Sequence, residues 1–113
     1  MQNGKMTNKK FAFNCMEILL DKGISVEAIM CLTDHEFCKE NFNCKKPILK
    51  QVDSLYDIPQ EVMNDGSSQP RFYKEAFDYN GTYFLITNYW YGSNTNQPDN
   101  RTPFYNWVSS FTI

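Results

Sequence analysis

Residues 71–92 read RFYKEAFDYNGTYFLITNYWYG, two β-prone runs on either side of Asn80-Gly81. Both central residues of a two-residue type I′ loop need positive φ, and Asn-Gly is the pair that adopts it at least cost. The pair therefore predicts an antiparallel hairpin that sets Phe77 opposite Phe84 and Ala76 opposite Leu85. After a polar loop, SNTNQPDNR, Thr102 can cap and Pro103 can open a last helix. Its apolar stripe is Phe104, Trp107, Val108 and Phe111, which would pack back on the hairpin.

The first half of the chain has a different period. Phe11, Ala12, Cys15, Met16, Ile18, Leu19 and Leu20 recur at helical spacing, and Gly23 is the stop signal of a helix running from about Asn8 to Lys22. Ser25 reads as the N-cap of a short helix burying Val26, Ile29 and Met30. Thr33 and Glu36 have capping-box spacing, so a third helix should start there, bury Phe37, Cys38 and Phe42, and end at Asn43 in the left-handed region. Pro47 suits the first turn of a fourth helix. At 100° per residue, Ile48, Leu49, Val52, Leu55 and Tyr56 gather on one arc of that helix, with Lys46, Lys50, Gln51 and Ser54 on the other.

Between the halves, DIPQEVMNDGSSQP from Asp57 to Pro70 is dense in turn formers and marks a connector. The pattern is α+β within one domain over 1–113: a flexible N-terminus at 1–7, a helical half at 8–56, the connector at 57–70, and a hairpin plus C-terminal helix at 71–113. A chain of 113 residues can bury roughly 60–70% of its unfolded surface and so hold a core of its own. With 42% hydrophobic residues and a net charge of -2, disordered, collagen-like and polybasic classes are poor matches. Abundant Asn, Lys, Phe, Tyr and Ile point to AT-rich coding DNA, hence to a low-GC bacterium or one of its mobile elements.

No apolar run approaches the roughly 18–20 residues a bilayer span needs, and the opening MQNGKMTNKKFAF lacks a signal-peptide core, so a cytoplasmic protein without a membrane partner is expected. The four cysteines would then be reduced thiols, and Asn80-Gly81-Thr82 and Asn100-Arg101-Thr102 would serve as turn and cap signals, not glycosylation sites. Cys31, His35, Cys38 and Cys44 are metal-capable, but three, two and five residues separate them and Cys38 falls on a buried stripe. Structural zinc sites pair their ligands more tightly on turns, so buried thiols are expected and no metal or cofactor. His35 between Asp34 and Glu36 superficially suggests a proton relay, yet adjacent helical residues point apart, and acids at a helix start explain the trio. No P-loop, Gly-rich dinucleotide turn or Gly-x-Ser-x-Gly elbow occurs, and Glu75 and Asp78 lack the lysine of a nuclease core. A non-enzymatic role is expected.

The stretch EFCKENFNCKKPILKQV, Glu36 to Val52, resembles the helix-turn-helix pattern. Phe37-Cys38 stand for the packed apolar and small pair, Asn43 for the turn, and Pro47 to Val52 for the second helix. The resemblance spans Ser25 to Tyr56 and makes the following hairpin the wing of a winged helix. It implies a module for double-stranded DNA, from a regulator, restriction or mobile-element system, whose second helix enters the major groove. Lys45, Lys46, Lys50 and Gln51 would then face DNA, while Arg71 and Lys74 on the hairpin would touch phosphate. Four lysines lie between Lys39 and Lys50 against the single Glu40, so the segment is positive although the chain is not. The alternative is a small protein-binding inhibitor or adaptor, for instance a phage- or plasmid-type inhibitor of a host defence nuclease, with Tyr89, Trp90 and Tyr91 as anchors.

Overall fold

The computed structural model describes residues 7–92, 96 and 98–111. The expected flexible segment 1–7 lies outside this range except for Thr7, whose side chain accepts from the Lys10 amide and caps the first helix. Part of the loop before the last helix is likewise outside it.

Helix α1, Asn8–Asp21, ends where Gly23 takes a φ of 74°, letting its amide reach the Leu20 carbonyl while the Ile24 amide reaches Leu19. Ser25 caps α2, Val26–Ile29, by accepting from the Ala28 amide, and a 3-10 turn over Met30–Thr33 follows. Helix α3, His35–Phe42, starts one residue later than Thr33–Glu36 spacing suggests. Asp34 is the cap and accepts from the Glu36 amide, while Thr33 lies in the preceding 3-10 turn and its hydroxyl donates back to the Met30 carbonyl at 2.6 Å. Asn43, at φ 60°, ends α3 in the left-handed region.

The expected fourth helix is absent. Leu49–Val52 is strand β1, and the only helix between β1 and the hairpin is the short α4, Gln60–Asn64, inside the connector. The helix-turn-helix pattern therefore loses its second helix. Ile48, Leu49 and Val52 have helical spacing, but in the strand Leu49 joins the main core and Val52 the cluster on the opposite face, and the hairpin supplies an open ladder edge that a helix would leave unused. The hairpin itself, β2 at Phe77–Tyr79 and β3 at Thr82–Ile86, turns on Asn80 and Gly81, at φ 53° and 94°, with Phe77 opposite Phe84. Ala76 lies beyond the ladder but packs with Leu85 in a small cluster. β1 pairs antiparallel with β3, Leu49 opposite Ile86 and Val52 opposite Tyr83, giving the sheet order β1-β3-β2.

Side chains alternate across a strand, so the two faces of β3 meet different layers. Phe84 and Ile86 join the main core with Phe11, Leu19, Phe42 and Leu49 and with Phe104 of helix α5, Arg101–Ser110. Leu85 faces the other way, onto Met63 of α4 and Phe72. The connector is thus a second thin layer, and the chain is α+β with helices on both faces of an antiparallel sheet. Lys22 ties the ends of the larger layer: its ammonium donates to the Val108 and Phe111 carbonyls at 3.1 and 2.8 Å, satisfying acceptors in the last turn of α5 and at its C-cap. No helix among the described residues is long and apolar enough to cross a membrane.

Candidate functional site

The residues singled out as DNA contacts come together only in part. Lys50 leaves β1 on the Leu85 face, donates to the Val62 carbonyl at 3.1 Å and to Asp65 at 2.9 Å, and sits over the Phe72 ring. Lys46 reaches the same carboxylate at 3.7 Å. The hydrogen bond and positive charge of Lys50, with Lys46 beside it, hold the Asp65 carboxyl below its ordinary range. Arg71 joins this end of α4 through its backbone, donating to the Met63 carbonyl, and lays its guanidinium over Tyr89 at 4.7 Å. Lys46 and Lys50 therefore converge on Asp65 at the C-terminal end of α4, where Arg71 contributes only its backbone. Lys45 is exposed, Gln51 points outward from β1, and Lys74 lies toward the other end of the connector.

Of the three expected aromatic anchors, Trp90 is used inside, while Tyr89 and Tyr91 are half-buried. Trp90 is 3% exposed, its indole N–H donates to the Thr87 carbonyl, and its ring packs against Phe11 and Phe104 at 5.4 and 5.3 Å. A side chain so enclosed gives a partner nothing to grip. Tyr89 and Tyr91 are held by their backbones instead. Asn100, 1% exposed, accepts from the Tyr91 amide at 2.7 Å and donates to the Tyr89 carbonyl at 2.8 Å. Asn100, not Thr102, is the N-cap position of α5, and Asp99 just before it accepts from the Thr102 amide.

Three of the four thiols, Cys15, Cys38 and Cys44, are small buried groups. Burial pushes Cys15 and Cys44 up to about 12 and Cys38 to about 11, and the Cys38 sulfur is occupied by the Leu32 carbonyl and the Ile48 amide. No three His, Cys, Asp or Glu side chains among the described residues are placed to hold a metal ion.

What the fold leaves outside is the connector. Tyr56 is 75% exposed and stands between two grooves. One, of about 530 Å³, runs over Leu55, Ile58, Met63 and Ala76, with Lys74 and Glu75 on its rim. Lys9 answers Glu75 at 2.9 Å and lowers its carboxyl. The second, of about 350 Å³, is walled by Val52, Ile58, Pro59 and Val62 and edged by Asp53 and Asp57. Sequence reasoning placed Tyr56 on the buried arc of a helix that does not form, and so missed this ridge. The signal available was compositional: residues 53–69 carry Asp53, Asp57, Glu61 and Asp65 and no lysine or arginine. No protein-family model, curated protein or solved structure matches the chain.

Proposed function

We propose that this chain is a non-enzymatic protein-binding module, an inhibitor or adaptor, that docks through the Tyr56 ridge and its two grooves. The observation that carries the reading is the Tyr56 side chain, a large ring 75% exposed beside apolar walls. An aromatic ring with a polar tip, flanked by pockets, is the arrangement from which interface hot spots are built. The surroundings are acidic, which suits a protein surface better than a phosphate backbone. The test is capture on immobilised protein, with nuclease treatment, compared between wild type and Tyr56→Ala. A partner held by wild type and released by the variant, at unchanged melting temperature, supports the reading. Equal retention, or no retained partner, removes it.

The DNA reading has one favourable observation, the gathering of Lys46 and Lys50 at the end of α4. In a winged-helix arrangement the hairpin would still serve as a wing, but β1 occupies the place of the helix that would enter the major groove. Binding would then rest on phosphate contacts, and its affinity would fall steeply with salt. Wild-type protein that shows no salt-dependent association with any duplex ends this reading. Lys46→Ala is the cleaner variant, since Lys50 also holds α4 in place.

A further inference from the structure

We infer that the partner docks an arginine-bearing segment, its guanidinium on Tyr56 and its aliphatic stem in the groove between β1 and α4. This inference rests on the protein-binding reading above and names the chemistry of the partner. The groove walls at Val52, Ile58 and Val62 are apolar, its rim carries Asp53 and Asp57, and no lysine or arginine lines it. Neither carboxylate, nor Glu61 nearby, enters an ion pair among the described residues, whereas Asp65 is taken by Lys46 and Lys50. An arginine meets each of these features at once: the stem covers apolar wall, the planar cation lies on the ring face, and its fork of N–H groups reaches a carboxylate. The chain uses the same pairing twice within itself, Arg71 over Tyr89 at 4.7 Å and Arg101 over Phe11 at 4.6 Å. Lysine fits less well: its ammonium can sit over a ring, as Lys50 does over Phe72 at 5.9 Å, but it is not planar and has no fork to reach a carboxylate from there. On the far side of Tyr56, the groove over Leu55, Met63 and Ala76 would take an apolar neighbour of that arginine, and Lys74 on its rim disfavours a second cation there.

The experiment titrates the full chain with labelled peptides repeating Arg-Gly-Leu-Gly, Lys-Gly-Leu-Gly or Glu-Gly-Leu-Gly, reading anisotropy and the ring resonances of Tyr56. The arginine peptide is expected to bind tightest and shift the Tyr56 ring, and the glutamate peptide not to bind. Tyr56→Ala should weaken the arginine peptide about two- to five-fold, the range of an exposed cation–π contact, and erase its advantage over lysine. Asp53→Asn with Asp57→Asn should weaken both basic peptides and flatten their salt dependence. Asn suits position 57, where φ is 58°. Equal binding of the arginine and lysine peptides, an arginine preference that survives Tyr56→Ala, or no binding at millimolar peptide overturns the inference. If Tyr56→Ala still releases a captured partner while the arginine peptide fails, the docking surface stands and the partner's chemistry is wrong. If both fail, the reading of the surface falls as well.

Discussion

The Lys50 ammonium lies 2.9 Å from an Asp65 carboxylate oxygen and 3.1 Å from the Val62 carbonyl, pinning the connector layer to the edge of the sheet. A residue expected to meet solvent or DNA is thus a structural strut. Lys50→Ala is expected to cost about 1 kcal/mol, the scale of a partly exposed ion pair with one further hydrogen bond. Denaturant unfolding of the two proteins reads the difference.

The same pair makes stability depend on pH at the acid end. The Asp65 carboxyl is held below its ordinary value of 3.8 in the folded chain, so its contribution is complete above that value and is lost as pH falls through the lowered folded value. Acid titration of stability should therefore show a smaller loss below pH 4 in Asp65→Asn than in wild type, while Asp65→Asn is the weaker protein at pH 7.

Asn100 closes the loop between β3 and α5 with both ends of its carboxamide. Asn100→Ala orphans the Tyr91 amide and the Tyr89 carbonyl in a buried setting. A loss of about 2–3 kcal/mol is expected, with faster hydrogen exchange at the Tyr91 amide. Exchange unchanged at Tyr91 would show that its amide finds another acceptor.

Gly81 has a φ of 94°, and a Cβ there meets nothing within 4 Å. Gly81→Val is expected to destabilise by about 1–3 kcal/mol through backbone strain alone. The melting temperature should fall accordingly, and an unchanged value would contradict the turn conformation.

The thiols should separate in reactivity. Cys31 is partly exposed, while Cys15, Cys38 and Cys44 are buried and held protonated at neutral pH. A thiol reagent added to native protein should label Cys31 first and the other three only as the chain unfolds. A metal chelator should leave the melting temperature unchanged.

The sequence by itself determined what depends on neighbours within about one turn of chain. Gly23, Ser25, Asn43 and Asn80-Gly81 each act on amides or torsions a few residues away, and each turn or cap was readable from residue type and spacing. The stripe of α1, the hairpin with its Phe77–Phe84 register, and the α+β class followed from the same local physics. Thr33 marks where that reading slips, since it ends the 3-10 turn over Met30–Thr33 and Asp34 takes the cap of α3. Only the tertiary structure decided between helix and strand for Leu49–Val52, because that run has helical spacing and the choice lay with the free edge of β3, more than thirty residues on. The rest follows from that pairing. Lys50 is turned onto Asp65, the connector is drawn across the second face of the sheet, and Tyr56 is moved from an expected core to the surface. Trp90 makes the opposite journey, since a pocket formed by α1 and α5 lies beyond the reach of any sequence window. Whether an apolar side chain ends up as core or as an exposed ridge depends on which distant surface covers it, and a single chain segment carries no record of that.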